Sequence, residues 1–342
     1  MFSCYNRFCK KEIAMIDITI LFIQVAVLVL MILPGFFLAK CRLSNELLGK
    51  GVSNIILYAA QPALIISGYA YTPYNPDILQ RMLAVFLFSV AVHVIFTFIA
   101  FLVYRKAPSG KKQPLMFATV FTNAGYMGIP LLKAIFGPEV AIYGSIYVFV
   151  FNVFVWSVGA YLYTGDRKYI SAKKMILNPA TVSAIVGLVF FVLSFFHLNP
   201  FLMDLESAPS ANSTVTVFRN LIDGMEQLVA PLAMLIIGLR LAEVDFSRVF
   251  RDKWLYIYLV VGMLLTPAIM WGLTRLVGLV GIYDDPQISG IILLSTAAPA
   301  ATATSMFAEK FDGDARYAGV LVSVSSLLCL ATMPLVSLLS LI

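Results

Sequence analysis

Three observations predict an all-α polytopic membrane protein. Its ten transmembrane helices would form a 5+5 inverted repeat, with broken, crossing fourth and ninth helices. First, apolar residues make up 61% of the 342-residue chain and charged residues only 12%, with a mean hydropathy of +0.91. Soluble domains run at about 45–50% and about 25%. Second, apolar runs long enough to span a bilayer, about 20 residues each, follow one another with short connections. Third, two of those runs are interrupted: one at Thr122–Pro130, TNAGYMGIP, and one at Ala298–Thr304, APAATAT.

The elements follow in order, after a tail over residues 1–15. The first span covers about Ile16–Ala39, with Pro34-Gly35 near its end. The second covers about Glu46–Tyr69 and contains Gln61-Pro62, and the third runs from Asp77 to Tyr104. The fourth, about Pro114–Phe136, holds the first interruption, and the fifth is about Val140–Tyr163. Residues 16–165 thus form a first five-helix repeat, and residues 166–176 a basic cytoplasmic linker. Residues 177–342 form the second repeat. Its sixth span opens on Asn178-Pro179 and ends near Phe196, before a polar segment Asn199–Thr216. The seventh, about Leu221–Leu241, contains Ala230-Pro231, and the eighth is about Trp254–Val277. The ninth, about Ile288–Ala308, holds the second interruption, and the tenth starts near Ala315. Pro62 and Pro231 each interrupt the second span of their half. The two breaks each fall in the fourth, and Gly137 and Gly313 follow them. Five spans per half is an odd number, so the halves enter the membrane in opposite senses.

Lys and Arg set the orientation. The loops after the odd-numbered spans, with the span ends beside them, hold roughly seventeen of the 24 basic residues, including Arg105, Lys106, Lys111, Lys112 and Arg167, Lys168, Lys173, Lys174. By the positive-inside bias these loops are cytoplasmic and both termini are not, in the plasma or inner membrane. The net charge of +6 is therefore a topology signal and no nucleic-acid footprint; the lipid bilayer is the expected partner. The basic segment Arg7–Lys11 precedes a run too long for a cleavable signal, and Met15 is an alternative start to Met1. Asn212-Ser213-Thr214 is a glycosylation sequon on the outer side.

Gly and Pro free backbone groups, which persist in hydrocarbon only where protein or a wet cavity satisfies them. A break is then either a midplane site of the transporter kind or a kinked packing helix at a close crossing. Two breaks in an inverted repeat favour the first. At each, the second half-helix offers free N–H groups and a positive dipole end. Asn123 adds an amide, Gly125 and Gly128 relax the backbone, and Pro130 suits the first turn of the half-helix. Thr302 and Thr304 cap or line the second break, beside Pro299. Two facing positive ends with a neutral amide favour a small organic anion such as a carboxylate. Gln61 is a second amide expected to face the cavity; Asn54 and Asn152 are expected in interhelical hydrogen bonds. Asp77 and Arg81 stand one turn apart and are expected to pair as a supporting ion pair. His93 reads as a packing residue, with titration as the alternative.

Enzyme function is not expected. There is no HExxH, GxSxG or GxGxxG, and the Ser within Tyr143–Tyr147 has no His placed beside it as a base. Asp284-Asp285 reads as a turn. Cys4, Cys9, Cys41 and Cys329 lack ligand company, and two His cannot build a zinc site, so neither a metal nor a cofactor is implied.

Asn123–Gly137, NAGYMGIPLLKAIFG, resembles the fourth-helix signature of the auxin efflux carrier family, which includes plant PIN-formed carriers and bacterial malate or malonate permease-like members. Leu177–Leu188, Leu232–Leu241 and Ala297–Phe311 resemble its sixth, seventh and ninth helices. The resemblance implies a scaffold part and a transport part moving as an elevator, an anionic substrate at the crossing of helices four and nine, and a homodimer through the scaffold helices. It implies that Asn178 lines the site, that Pro299 is the crossing Pro, and that Asp77 with Arg81 matches an acidic–basic pair. Ala300-Ala301 and Thr304 depart from the plant pattern, and the long cytoplasmic loop of the plant carriers is absent, which favours a small organic acid over auxin. Two further readings stay open: a sodium-coupled symporter of the related bile-acid-type fold, and a solute sensor that has lost transport.

Overall fold

The computed structural model describes residues 16–202, 213–245, 249 and 251–341. Cys4, Cys9, the basic segment 7–11, Met15 and the sequon residue Asn212 lie outside the described residues. In chain order the main helices are α1 Ile18–Lys40, α2 Leu47–Ala70, α3 Pro76–Tyr104, α4 Lys112–Val120, α5 Ala124–Phe136 and α6 Pro138–Thr164. They continue with α7 Arg167–Phe195, regular from Pro179, α8 Thr214–Leu241, α9 Lys253–Leu279, α10 Pro286–Ala297, α11 Ala303–Lys310 and α12 Ala315–Leu341. Among the described residues there is no strand. Eight of these helices are long and apolar enough to cross a membrane. The other four come as two consecutive pairs, α4–α5 and α10–α11, each separated by a short unwound stretch. The linker expected over residues 166–176 is itself largely helical, with short turns at Arg167–Tyr169 and Ala172–Ile176.

Short acidic and amide side chains start these helices. Asp17, Asn75, Asp252, Asp285 and Asp314 each accept a hydrogen bond from a first-turn N–H of the helix that follows. Each also places negative charge or a dipole at the positive helix end. Asp285 is thus the cap of α10 and more than a turn residue.

Proline behaves differently from the sequence expectation. Pro62 does not interrupt α2: a π turn over Ile56–Ala60 precedes it and the helix continues. The same device precedes Pro130, at Ala124–Gly128, and Pro267, at Val261–Leu265. A wider turn moves aside the carbonyl that a proline ring would strike and skips the hydrogen bond that proline cannot give. In α8 the irregularity lies at Gln227–Leu228, and Pro231 falls in the first turn of the regular run that resumes at Val229.

Packing is closest where glycine removes side-chain bulk. Gly238 of α8 faces the backbone of α1 so tightly that an added Cβ would lie 2.1 Å from the Ile32 carbonyl oxygen. Gly35 of α1 faces α8 in the same way, 2.0 Å from the Leu235 oxygen. Gly187 of α7 lies against the Tyr69 ring of α2. Such small-residue crossings are how helices associate in lipid, where the hydrophobic effect no longer drives them together. Elsewhere α3 packs on α4 and α6, α9 on α10, and α11 on α12.

Candidate functional site

The two unwound stretches touch. Between α4 and α5, Phe121 is extended (φ −113°, ψ 99°) and Asn123 leaves helical geometry (φ −78°, ψ 44°). Between α10 and α11, Ala298 is extended (φ −60°, ψ 149°). Thr122 and Ala300 form a single antiparallel bridge. The Asn123 N–H donates to the Pro299 carbonyl at 2.7 Å, and the Ala301 N–H donates to the Phe121 carbonyl at 2.9 Å. Side chains complete the satisfaction. The Thr122 hydroxyl donates to the Ser295 carbonyl at 2.8 Å, and the Ala300 N–H donates to Ser325 Oγ of α12 at 3.1 Å. Each stretch therefore supplies the partners that its own helix gave up, as buried backbone requires.

A cavity of about 100 Å³ opens beside this bridge. Its polar lining is Gln61, Thr122, Asn123, Asn152 and Thr302, with the backbone of Gly125 and Ala303. Tyr126, Phe151, Trp156, Met306 and Phe307 make its apolar wall. Among the described residues no charged one lines it. Asn123 is 3% exposed, and its Nδ2 is buried without a hydrogen-bond partner among the described residues. The Asn152 amide is already used, donating to the Val148 carbonyl at 2.8 Å. Gln61 Oε1 accepts from the Tyr126 hydroxyl at a long 3.4 Å. Gly125 leaves room for that amide: a Cβ there would meet Gln61 Nε2 at 3.6 Å and Val148 Cγ2 at 3.2 Å. The first turns of α5 and α11 both end on the cavity. In α11 the Thr304 and Ser305 N–H groups already donate to the Ala301 and Thr302 carbonyls, so what the two helix starts bring to this neutral, half-aromatic hollow is chiefly their positive dipole ends.

The structure brings Asn123, Gly125, Gln61 and Thr302 together in this lining, with Pro299 behind it as the acceptor for Asn123. It does not bring the others there. Gly128 lies within the π turn, with its N–H bonded to the Asn123 carbonyl at 3.1 Å. Pro130 sits more than one turn inside α5, because that helix starts at Ala124 and not at the proline. Thr302 makes no side-chain cap. Thr304 is buried behind the lining with its Oγ1 unpartnered, while its carbonyl accepts from Tyr163 at 3.0 Å.

Asn178 is also elsewhere. Its Oδ1 caps the regular part of α7 at the Thr181 N–H (2.9 Å). Its Nδ2 donates to the Met175 carbonyl and Thr181 Oγ1, each at 2.8 Å. Asn178→Ala should therefore cost about 1 kcal/mol of stability, the usual worth of such a cap. Ligand affinity should stay within about twofold of wild type; thermal unfolding with and without ligand measures both.

The supporting ion pair is rearranged. Arg81 does not take Asp77 as its partner; Arg81 Nε lies 2.8 Å from Asp285 Oδ2, and Nη1 donates to Gln287 Oε1 at 3.1 Å. The helical spacing of Asp77 and Arg81 allowed a local pair. Asp285, held in place by capping α10, offers Arg81 a partner from another helix. Asp285→Asn keeps the cap and removes the charge. It should cost about 1 kcal/mol, given how much solvent screens this pair. Asp77→Asn should cost less than about 0.5 kcal/mol, as expected of a surface change. Paired denaturation curves distinguish the two.

Sequence reasoning missed the α6 wall. Val148, Phe151, Asn152, Val155 and Trp156 recur at helical spacing, and a π turn at Val155–Gly159 closes the series. The spacing was visible; its inward direction was not. His93 supports the site from behind as a packing residue. Its ring stacks among Phe121, Tyr147, Phe151 and Phe154, with Nδ1 2.7 Å from the Ser89 carbonyl.

A family model described as membrane transport protein matches residues 20–337. The chain is also 23% identical over 296 residues to an uncharacterized transporter of Methanocaldococcus jannaschii, covering 85% of this chain and 89% of that one.

Proposed function

Because the chain belongs to the membrane transport protein family and is a membrane transporter, we propose that it moves a small organic monocarboxylate through the hollow beside the Thr122–Ala300 bridge. In this reading α4–α5 and α10–α11 are the broken fourth and ninth spans of a ten-helix, 5+5 inverted repeat, and they cross at the bridge. Helices α1, α2, α7 and α8 form a scaffold, against which the remaining helices slide as an elevator. The basic connections face the cytoplasm.

The observation that carries the substrate class is Asn123 Nδ2: a buried donor without a partner, in a cavity that two helix N-termini also face. An unmet buried donor costs stability, so an acceptor that completes it is favoured. Each helix end is worth roughly half a positive charge. Two of them suit one carboxylate; among the described residues no Lys or Arg lines the hollow itself, and the cations by its wall, Lys310 and Lys174, are engaged over the Trp156 ring. The aromatic and apolar wall suits an apolar body on the acid.

Proteoliposomes loaded with purified protein should take up monocarboxylates with apolar bodies at least tenfold better than dicarboxylates of equal length, since an unpaired buried charge is strongly disfavoured. Uptake of dicarboxylates alone would overturn the charge argument. Uptake of no acid in the panel, with Asn123→Ala leaving every ligand response unchanged, would overturn the anion reading.

A further inference from the structure

Among the described residues, helix α8 reaches each interrupted run through one ion pair. Glu226 Oε1 accepts from Lys133 Nζ of α5 at 2.7 Å, and its other oxygen takes the Ser67 hydroxyl of α2. Fourteen positions on, roughly 21 Å along a helix, Arg240 Nη2 donates to Glu309 of α11. Lys133 and Glu309 occupy the same step of the two runs, each four residues before the glycine that follows it, Gly137 and Gly313. Their charges are opposite, and so are those of their partners on α8.

Neither carboxylate is stabilised by its own helix. Glu226 is the last residue of the regular segment Ser213–Glu226, and Glu309 lies in the last turn of α11. There the negative dipole end opposes a negative charge. Both cations sit in last turns, where the dipole favours them. Each carboxylate therefore depends on a partner from another helix. Glu226 is well enclosed, with its side chain 12% exposed and that of Lys133 28% exposed. Of the other ionisable groups near it, Tyr71 interacts with Asp223 and Arg219 and also feels the Glu226 charge.

We propose that Lys133–Glu226 and Arg240–Glu309 are two latches of opposite polarity, which hold the substrate-bearing helices against α8 in the arrangement seen here and part when those helices move. The proposal rests on the carrier reading above for its two moving parts, but it does not depend on which anion is carried.

Two experiments test it. Hydrogen–deuterium exchange of purified protein should rise at least tenfold in α5 and α11 when Glu226→Gln and Arg240→Gln are combined. The swapped pair Lys133→Glu/Glu226→Lys should restore slow exchange in α5. A structural role alone would instead lower the melting temperature with exchange raised evenly along the chain, and that result, or unchanged exchange, overturns the proposal. Second, in protein with all four Cys replaced by Ser, Lys133→Cys/Glu226→Cys joined by a short reducible thiol cross-linker should lose uptake of the best panel acid at least tenfold. Reductant should restore it. The same link between Lys40→Cys and Ala242→Cys, within the scaffold where Lys40 already bonds the Ala242 carbonyl, should leave uptake unchanged. Undiminished uptake by the α5–α8 linked protein overturns the latch. Latch-like exchange in a protein that binds no carboxylate overturns the anion reading and leaves the latch standing.

Discussion

Asn123→Ala should lower carboxylate affinity by roughly 10–150-fold while leaving the protein as stable as wild type, or slightly more so. The two signs come from one atom. Asn123 Nδ2 is buried and bonds nothing among the described residues, so truncation removes a desolvated donor and no existing hydrogen bond; such a donor is worth about 1–3 kcal/mol of destabilisation. In the complex the same donor would meet a carboxylate oxygen. A hydrogen bond to a charged partner contributes roughly 1.5–3 kcal/mol, and 1.4 kcal/mol is a factor of ten. The backbone role of residue 123 survives the change, because its N–H still reaches the Pro299 carbonyl. Melting curves across a ligand titration report both quantities together. A large fall in stability without ligand would mean that Asn123 is structural. Unaltered affinity would remove it from the site. Asn123→Asp sharpens the test: it places a carboxylate where the substrate's would lie, and like charges sharing one site disfavour one another.

Much of this site could be read from the chain because the breaks are local chemistry. Asn, Gly and Pro inside an apolar run announce unsatisfied backbone wherever that run folds, so the interruptions at Thr122–Pro130 and Ala298–Thr304 were legible in the sequence, though not that each unwinds only at its start. What they announce is a need for partners, and the bridge from Thr122 to Ala300 is how it is met. Directions and long-range partners were not legible. The family resemblance implied that Asn178 lines the site, and it caps its own helix. Arg81 had an acceptable neighbour in Asp77 and reached across to Asp285 instead. Pro62 looked like an interruption until a π turn absorbed it, and no sequence period marks a π turn. Glu226 was passed over because a lone Glu in an apolar span has meaning only beside Lys133, which lies 93 positions away in the chain.

Gly238→Ala should destabilise the protein by about 3 kcal/mol or more, whereas Gly224→Ala, on the same helix, should be neutral or stabilising. Intrinsic propensity favours alanine over glycine in a helix by about 1 kcal/mol at either position, so propensity cannot separate them. Contact does. An added Cβ at Gly224 meets nothing within 4 Å. At Gly238 it would lie 2.1 Å from the Ile32 carbonyl oxygen and 2.7 Å from the Phe36 nitrogen, both backbone atoms of α1. A flexible side chain could swing away; two helix backbones can only separate. Separation would also open the facing contact of Gly35 with the Leu235 carbonyl, so one methyl group undoes both sides of the α1–α8 crossing. Overpacking in well-packed interiors typically costs about 1–3 kcal/mol when side chains can adjust, and here they are not what must adjust. The variant should therefore show a lowered melting temperature and a broadened size-exclusion profile, with affinity for the acid retained in whatever fraction folds, because Asn123 and its cavity lie on other helices. Equal melting temperatures for the Gly238 and Gly224 variants would show that α1 and α8 do not meet at this distance. The scaffold against which the broken helices are proposed to slide would then have to be drawn elsewhere.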